Sequence, residues 1–451
     1  MASAQPVKEP SLPYTVKASD TMSRFGREVL VSPKAWQEVA KFNQLKDANM
    51  LSIGQQLNIP LRLLKSAPAG GKVISVEGSV SSRNGALMVG NAVTDGSTIQ
   101  TGINSSAVIE LGDGSRIKIL PNSLAEVVAN RNYALKSGSG DSGSSNWFSG
   151  LMRLTQGTLE AVASKLVTRA TPLQIETPTS IVGVRGTAFR VAFDDPQSKS
   201  SRTEVIEGQV RADNPAQGVG ADLPPGTGAV IKPLEKEVKV ALLLPAPDLS
   251  MLAGDVLKPL GALAMPALAG ANAFRVQISS DEKFDKIVRD LKVINAAADL
   301  ASLPNGNWFA RVRGIDANGL EGFDAVKLIA VKDGQWRVTD STITLAGGKA
   351  VLSWTGQLAG GQNVLTQGVS AVLASDAALT KDVRLIESPD APGAVQTGVV
   401  LGDLKPGIYF LRLQSSQGAQ QGLTSEIYQF ELSGNWGQTV FTHVSALQAV
   451  R

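Results

Sequence analysis

Two short patterns in this sequence have residue types that could do chemistry. The first is TPTSIVGVRGTAFRV, residues 177–191, where Gly183 and Gly186 flank Arg185 within a run that resembles a strand. A phosphate loop needs successive backbone N–H groups turned towards one anion, with a helix following. Here no Lys directly precedes the Thr, and AFRVAF alternates like a strand. We therefore predict a buried strand with glycines at a bulge or a close backbone approach, and no nucleotide site.

The second pattern is the set of strings S-x-x-K, S-x-N and K-[ST]-G, which serve acyl-transfer chemistry in Ser/Lys transpeptidases and hydrolases. They occur at residues 280–283, 144–146 and 136–138, in the reverse of the order in that enzyme class. Two of the strings involve a segment of low apolar content, and the third lies in a hairpin-rich region. Because such motifs require their structural context, the sequence predicts a protein that is not an enzyme.

The composition excludes several other classes of site. The 451 residues include no Cys and one His, His443, so disulfides, thiol catalysis, His-based triads and Cys- or His-rich metal sites are not expected. We predict neither a metal nor a cofactor. The 43 basic and 40 acidic residues nearly balance, which argues against a nucleic-acid partner.

The chain is predicted to be exported and to contain no membrane span. Its most apolar region, 241–274, is interrupted by prolines and charged residues. The N-terminal MASAQP places Ala2, Ser3 and Ala4 before Gln5, like the small-residue end of a signal peptidase site. We therefore expect a location in the periplasm or cell envelope, with the signal peptide removed.

The first region of the chain is predicted to form strand, helix, helix and strand. Asp20 suits the N-cap of the first helix, and Pro33 suits the first turn of the second. Trp36, Val39 and Ala40 have the spacing of one apolar helix face. Such a segment buries a very small core.

The strings YTVKASDTMSRF and AWQEVAKFNQLKDANMLSIGQQLNIP closely resemble the LysM module, over residues 12–62. The resemblance implies binding to peptidoglycan or another N-acetylglucosamine polymer, through the loop after the first strand and the loop before the last. Shallow sugar grooves of this kind use backbone groups and apolar faces. By position, the implied glycan-binding residues are Ala18, Ser19, Asp20, Thr21 and Met22 in the first loop, and Asn49, Met50, Leu51, Ser52 and Ile53 in the second.

This sequence departs from the LysM pattern at two positions in the implied groove. The family usually has Gly where this chain has Ser19, and Pro where it has Ile53. Ser19 closes the turn if its φ stays negative, whereas a groove that depends on a positive φ would be altered. The alternative for this segment is a LysM fold that contacts only a partner protein.

Residues 72–233 are predicted to form one all-β domain after the short linker LKSAPAGG. Gly78, Gly157 and Gly208 each lie between flanks of alternating apolar residues, and Asp113-Gly114 is expected to close a tight hairpin. The insertion KSGSGDSGSS, residues 136–145, is predicted to be a mobile loop because few of its side chains are apolar.

The order of these strands, with TPTSIVGVRGTAFRV followed by VIEGQV, resembles the FecR domain. The resemblance implies an extracytoplasmic domain for protein interaction and signalling, with the glycines at solenoid or barrel turns. We expect Arg185 to bridge internally to Glu176 or Glu207, with contact to a partner protein as the alternative. The residues that match the family motif are Thr177, Pro178, Gly183, Arg185, Gly186 and Thr187.

The remainder of the chain repeats itself with a period of 101 residues, which aligns Trp308 with Tyr409 and Arg311 with Arg412. Short strands of this density are typical of β-sandwiches. Residues 241–331 and 332–432 resemble fibronectin type III or immunoglobulin-like modules. Such folds host many functions and identify none.

The predicted fold class is therefore mainly β and multidomain: a small βααβ LysM module, an all-β FecR-like domain and two β-sandwich domains. The predicted function is that of a non-enzymatic bacterial cell-envelope protein, which binds peptidoglycan through LysM and engages an envelope protein through its FecR-like domain. One alternative is a periplasmic sensor subunit for a separate membrane receptor, such as a cyclase or kinase. Another is a self-assembling envelope scaffold, since exposed sheet edges allow β-addition.

Overall fold

A computed structural model shows a mainly β, multidomain protein with two short helices among its described residues, as the sequence predicted. The chain divides into two compact units. The first contains Met1–Met251, Pro266–Ala296 and Trp308–Lys327, and the second contains Leu252–Met265, Ala297–Asn307 and Leu328–Arg451. The structure describes residues 9–135, 146–164, 170–184, 186–194, 197–252, 254–258, 261–294, 297–346, 349–358, 369–386, 398–402, 404–415, 423–434, 441–444 and 448–450.

The N-terminal segment has the predicted order of strand, helix, helix and strand. Strands β1 and β2 pair antiparallel, with Ser11 opposite Pro60, and Val39 and Ala40 are buried beneath them with Trp36 at the edge. The predicted apolar face of the second helix is therefore confirmed. The elements are β1 (Ser11–Thr15), α1 (Met22–Glu28), a 3-10 turn (Pro33–Ala35), α2 (Trp36–Phe42), β2 (Gln56–Pro60) and a second 3-10 turn (Leu61–Leu63).

The prediction that Asp20 caps α1 is wrong, because the cap is the next residue, Thr21. Thr21 has extended backbone, and its Oγ1 accepts a hydrogen bond from the N–H of Arg24 at 3.2 Å. Asp20 instead closes the preceding turn, where its Oδ2 accepts bonds of 2.7 Å from the Tyr14 hydroxyl and the Lys17 N–H. Pro33 begins the 3-10 turn that leads into α2.

Two β-sheets follow in the first unit. Sheet I has the pairing order β4-β8-β9-β11-β14-β15-β18-β19. Sheet II has the order β6-β5-β7-β10-β11-β12-β13-β16-β17, with β3 also alongside β10. The strands are β3 (Ser66–Pro68), β4 (Lys72–Glu77), β5 (Val80–Ser82), β6 (Gly85–Ala86), β7 (Thr98–Thr101), β8 (Ser106–Glu110), β9 (Arg116–Ile119), β10 (Leu124–Ala134), β11 (Asn146–Val162), β12 (Leu173–Glu176), β13 (Ile181–Val184), β14 (Ala188–Phe193), β15 (Ser201–Glu207), β16 (Val210–Asn214), β17 (Val219–Leu223), β18 (Thr227–Ile231) and β19 (Lys239–Leu242).

One apolar core holds sheets I and II together. Ile109, Leu159 and Phe189 of sheet I pack in the same cluster as Phe148 and Val182 of sheet II. The long strand β11 belongs to both sheets, since its first part pairs with β10 and β12 and its last part with β9 and β14. The two sheets therefore form a sandwich that shares a strand.

The three glycines with similar flanks mark the points where the chain passes between the two sheets. Gly78, Gly157 and Gly208 have φ values of 72°, 87° and 83°, which favour glycine. A Cβ at each would collide with a hydroxyl residue of a neighbouring crossing, Ser105, Ser123 or Thr187 respectively. The repeated sequence pattern thus has one structural cause.

The prediction that residues 177–191 form a single strand is wrong. It contains β13 of sheet II and β14 of sheet I, which are separated by a turn at Gly186, where φ is 62°. Gly183 lies in β13, and a Cβ there would meet only Pro172 at 3.7 Å, so no close backbone approach requires this glycine. The predicted Asp113-Gly114 hairpin is confirmed between β8 and β9, with φ of 79° at Gly114.

The remaining strands pair within each unit. In the first unit β22 pairs with β23 and β25. In the second unit β20 pairs with β26, β21 pairs with β24, and a larger sheet has the order β30-β29-β32-β33-β27-β28-β31, with β34 and β35 also on β33. The strands are β20 (Asp255–Lys258), β21 (Ala262–Ala264), β22 (Ala273–Ser279), β23 (Ile287–Val293), β24 (Ala297–Asp299), β25 (Gly306–Ile315), β26 (Ala325–Asp333), β27 (Gln335–Ala346), β28 (Lys349–Leu358), β29 (Val369–Ala374), β30 (Arg384–Ile386), β31 (Gly398–Gly402), β32 (Gly407–Ser415), β33 (Thr424–Gly434), β34 (Phe441–Val444) and β35 (Gln448–Ala449).

Candidate functional site

The two predicted glycan-binding loops begin and end at the same end of the β1–β2 sheet. The N–H of Gly54 donates to the carbonyl of Val16 at 2.8 Å, and the N–H of Val16 donates to the carbonyl of Gln55 at 2.9 Å. These bonds continue the strand pairing up to the first loop, residues 18–22, and the second loop, residues 49–53. The fold therefore brings the two loops into proximity, as a groove between them requires.

Ser19 has a φ of 70°, so the turn does not keep the negative φ that was considered for this residue. The turn is closed by the N–H of Asp20, which donates to the carbonyl of Lys17 at 3.2 Å, and by the Asp20 carboxylate. A residue with a side chain pays roughly 1 to 2 kcal/mol for this left-handed conformation. The backbone nevertheless keeps the path that glycine follows without strain.

The second loop is fixed by short-range hydrogen bonds and presents apolar side chains to solvent. Its backbone is held by bonds of Asn49 and Met50 to Asp47, and by bonds between Ser52 and Gln55. The side chains of Met50 and Ile53 are 77% and 76% exposed. Exposed apolar groups on a fixed loop are suited to contact the apolar faces of sugar rings.

The predicted groove residues differ in what they can offer to a ligand. Met22 is buried in the core with Phe25, so its side chain is not available for glycan contact. Asp20 and Leu51 are half-buried. The exposed members are Ala18, Ser19, Thr21, Asn49, Met50, Ser52 and Ile53.

The described residues of the second motif form turns and packing contacts. Thr177 Oγ1 accepts hydrogen bonds from the N–H groups of Ser180 at 2.9 Å and Thr179 at 3.2 Å, which closes the turn around Pro178. Thr187 packs against Gly208 at a sheet crossing. Arg185 lies outside the described residues, as does the insertion 136–145. The predicted acceptor Glu176 pairs with Arg153, whose Nη2 lies 3.1 Å from its Oε2.

A row of charges crosses the outer face of sheet I, and the sequence analysis missed it. Lys118, Glu160, Arg190 and Glu204 are opposite one another on the adjacent strands β9, β11, β14 and β15. Arg190 Nε lies 3.1 Å from Glu204 Oε2. Positive and negative side chains thus alternate across four strands.

Charged side chains of β22, β25 and the following loop cover this row. Arg311 Nη2 and Arg313 Nη2 lie 3.0 and 2.8 Å from Glu160 Oε1, and Arg190 Nη2 donates to the carbonyl of Glu321 at 2.7 Å. Arg190 and Glu204 are 3% and 2% exposed in their side chains. Apolar and polar residues alternate in TLEAVA and AFRVAF, as they do in a strand with one solvated face. The sequence therefore did not indicate that this face is covered.

Burial and neighbouring charges move the pKa values of two glutamates in opposite directions. Burial raises the pKa of Glu160, but the charges of Arg311 and Arg313 outweigh this effect and hold its pKa well below the ordinary value. Burial dominates at Glu204 and raises its pKa in spite of Arg190. The row therefore contains one firmly ionised carboxylate and one that takes up a proton more readily.

Two family models match parts of this sequence. Residues 14–60 match the LysM domain, and residues 97–211 match the family described as FecR protein. The chain contains a LysM domain and a FecR domain. The LysM match covers β1 to β2 with both loops, and the FecR match covers most of sheets I and II, including the motif at residues 177–187. The sequence-based resemblances to both families are thereby confirmed.

Comparison with other proteins adds little beyond these domains. No curated protein matches this sequence. Two crystal structures of a protein described as an anti-sigma factor from Parabacteroides distasonis align at 16% and 14% identity, each with a TM-score of 0.24. Each alignment covers 32% of this chain and 59% of that protein, so the chain spans less than two thirds of that protein's length. Chicken CNTN1 domains FN1–FN3 align over 61% of this chain and 94% of theirs, at 14% identity and a TM-score of 0.20.

With TM-scores this low, neither similarity supports a statement on fold or function, and the fibronectin type III assignment stays a prediction. Across the described ranges, no helix is both long and apolar enough to traverse a bilayer. Within the same ranges, His, Asp and Glu side chains form no group of three or more that could hold a metal ion.

Proposed function

We propose that this is a non-enzymatic, exported protein of the bacterial cell envelope, which binds peptidoglycan through its LysM domain and a partner protein through its FecR domain. The observation that carries the glycan half of the proposal is the geometry of the two LysM loops. They share one end of the sheet, and the first follows the positive-φ path at Ser19. The position where the family usually has Gly thus keeps a glycine-like backbone.

The second loop would supply most of the contact with the glycan. Met50 and Ile53 offer apolar surface for the C–H faces of N-acetylglucosamine rings, and the exposed backbone of the first loop offers polar groups for hydroxyl and acetamido substituents. No charged residue is required, because the polymer backbone of N-acetylglucosamine is uncharged. Affinity would therefore depend on the buried apolar area and would change little with salt.

The partner half of the proposal is supported by the FecR match at residues 97–211. LysM and FecR are both families without catalytic residues, which supports a binding role for the chain. An exported location is supported by the pairing of these two domains, which is typical of envelope proteins.

The test is co-sedimentation of the full-length protein with purified peptidoglycan sacculi. We expect the double variant Met50→Asp/Ile53→Asp to bind at least about tenfold more weakly, since roughly 1.4 kcal/mol of apolar contact is enough for that factor. Val31→Asp is the matched control, because Val31 is 57% exposed in the same domain but lies outside both loops.

Equal binding by the double variant and the wild type would contradict the assignment of the glycan groove. Equal loss of binding in the Val31→Asp control would indicate general damage to the domain. Melting temperatures of all three proteins should be recorded to separate these cases.

A further inference from the structure

A cavity of about 400 Å³ lies on the outer face of sheet I beside the row of charges. We name it the β14 groove, and its floor and rim are formed by different kinds of residue. The floor is apolar and consists of Val162, Ala188 and Ile206. The rim is cationic and consists of Arg116, Lys118 and Lys283.

The floor of the β14 groove is continuous across three strands. Val162 of β11 is opposite Arg116 of β9 on one side and Ala188 of β14 on the other. Val162 is 58% exposed, which is unusual for a β-branched residue within a central strand. Ala188 directly follows Thr187, so this floor adjoins the FecR motif.

Positive charge exceeds negative charge around the groove. Five cationic side chains line it, together with the carboxylates of Glu160, Asp285 and Asp324. Each of these carboxylates already contacts at least two cations. Asp285, for example, lies 2.7 Å from Arg116 Nη2 and 3.1 Å from Lys118 Nζ. Among the described carboxylates, none forms an ion pair with Lys283.

The turn that carries Lys283 is held firmly in place. Phe284 beside it is 2% exposed and packs beneath the guanidinium of Arg311, whose Cζ lies 4.6 Å from the ring centroid. The carbonyl of Asp285 accepts hydrogen bonds of 3.2 Å from the hydroxyls of Ser75 and Ser106. The cationic rim is therefore positioned by packing against sheet I before any ligand arrives.

We propose that the β14 groove binds the C-terminal end of a partner polypeptide, with an apolar last side chain on the floor and the free carboxylate at the cationic rim. A chain end places a carboxylate and a side chain on the same Cα, so both can enter one small cavity together. The volume lies near the lower end of the range for ligand sites, which suits one or two side chains. This inference rests on the proposed function, because it assigns a site to the FecR domain's partner.

The energetic basis is charge-assisted hydrogen bonding at a partly desolvated site. Arg116 and Lys283 would donate to the carboxylate, and such bonds are stronger than bonds between neutral groups. The apolar floor contributes by burial of the last side chain. A peptide with an amide at its C-terminus would still bury its last side chain but would lose most of the charge-assisted hydrogen bonding.

The experiment measures binding of fluorescent N-acetylated hexapeptides that end in leucine, valine or phenylalanine to the full-length protein. Each peptide is tested as the free acid and as the C-terminal amide. We expect at least one free acid to bind, and its amide to bind about tenfold more weakly. Lys283→Ala and Val162→Ser should each weaken binding of the free acid by about fivefold or more, one at the rim and one on the floor.

Lys286→Ala is the matched control, because Lys286 is exposed in the same turn and does not line the groove. Its binding should equal that of the wild type. Melting temperatures identify a variant that fails to fold. If either Lys283→Ala or Val162→Ser fails to fold, the binding result of the other one tests the inference. Dodecanoate is included to separate a peptide end from a fatty acid as the source of the carboxylate.

Three results would overturn the inference: no binding by any free acid, equal binding by acid and amide, or binding of dodecanoate alone. The proposed function has a separate measure, which is cross-linking of an envelope protein to the FecR domain in intact cells. If a partner is cross-linked but no peptide binds, the assignment of the β14 groove is wrong and the proposed partner role stands. If the peptides bind but no envelope protein is cross-linked, the partner role fails instead.

Discussion

Ser19 shows how one residue can be at odds with its backbone while the loop keeps its path. The turn from Lys17 to Asp20 requires a positive φ, and the Asp20 carboxylate holds it in place by accepting bonds from Tyr14 and Lys17. Strain of this kind persists only where the surroundings determine the conformation. Here the surroundings are the two hydrogen bonds to one carboxylate.

The first prediction is that Ser19→Gly stabilises the LysM domain. Glycine removes the side-chain strain at φ of 70° but loses more entropy on folding, so we expect a net gain of about 0.5 to 1 kcal/mol. Amide hydrogen exchange within residues 14–60 of the full-length protein measures it. Ser23→Gly, within α1, is the comparison and should destabilise by about 1 kcal/mol. A loss of stability in both variants would show that the Ser19 turn is not strained.

At the residue scale, the sequence predicted positions better than roles. The two predicted loops lie at one end of the β1–β2 sheet, but Asp20 was assigned the cap that Thr21 provides, and Met22 was placed in a groove although it lies in the core. The error at Asp20 has a physical cause. Asp, Thr and Ser compete for the same cap, and the choice depends on the hydrogen bond from Tyr14, a residue whose proximity only the fold reveals.

Among the elements, the sheet crossings place a strict limit on residue size. At Gly157 a Cβ would lie 2.6 Å from the Cα of Ser123, and Ser123 Oγ accepts a hydrogen bond from the N–H of Thr158 at 2.9 Å. Ser79 makes the same kind of bond to Ser105 beside Gly78, at 2.9 Å. Two crossings therefore share a glycine, a neighbouring serine and a backbone bond.

The second prediction compares Gly157→Ala with Gly114→Ala. Both glycines have a positive φ, but a Cβ at Gly114 would meet nothing within 4 Å. We expect Gly114→Ala to cost about 1 kcal/mol from the backbone alone, and Gly157→Ala to cost about 1 to 3 kcal/mol more from overpacking. Urea unfolding of the full-length proteins, followed by circular dichroism, measures the difference. Equal losses would mean that crowding by Ser123 is absent.

The sequence marked the positions of these crossings because the requirement for glycine is local. Glycines with alternating flanks at residues 78, 157 and 208 identified three equivalent places, and Asp113-Gly114 identified a hairpin. The assignment of strands to two different sheets could not be predicted, since it depends on long-range pairing of β11 with four neighbours. Residues 177–191 were thus taken as one strand.

For the first unit as a whole, the dominant unexpected feature is the buried charge between sheet I and strands β22 and β25. Glu160 and Glu321 both have pKa values below the ordinary value, because the arginines around them outweigh the effect of burial, which raises the pKa. In the unfolded chain these groups titrate near pH 4.3. The unfolded state therefore binds protons first as the pH falls, and their contribution to stability is present above about pH 4 and lost below it.

The third prediction is that the first unit loses thermal stability between about pH 4.5 and pH 2, and that Glu160→Gln makes this loss smaller. At pH 7 the variant should be less stable by about 3 to 5 kcal/mol, since Arg311 and Arg313 lose their shared carboxylate. Glu204 acts in the opposite direction, because its pKa is raised and its contribution falls as the pH rises through that value.

Calorimetry of the full-length protein across pH 2 to pH 7 measures both effects. Glu28→Gln is the control, because Glu28 forms an exposed pair with Arg24 and should leave the pH dependence unchanged. Parallel pH curves for wild type and Glu160→Gln would show that the buried glutamate is not the group that titrates.

At the scale of the whole molecule, the architecture class and the domain families could be predicted from the sequence, but the charged contact could not. Charges at alternate positions of the strands TLEAVA, AFRVAF and WFARVRG normally indicate a solvated face, and here two such faces meet. Strands β22, β23 and β25 lie in the first unit with sheet I, whereas β20, β21 and β24 lie in the second. The predicted boundary at residues 233–241 therefore separates segments that share a buried contact.

The strand β11 has a consequence for the way in which the FecR domain unfolds. This strand of 17 residues pairs with neighbours in both sheets, so neither sheet can separate from β11 without disturbing the other. Local opening is then costly, and we expect the domain to unfold as one cooperative unit. Proteases that attack partly opened chains would then find only the rare, fully unfolded molecule.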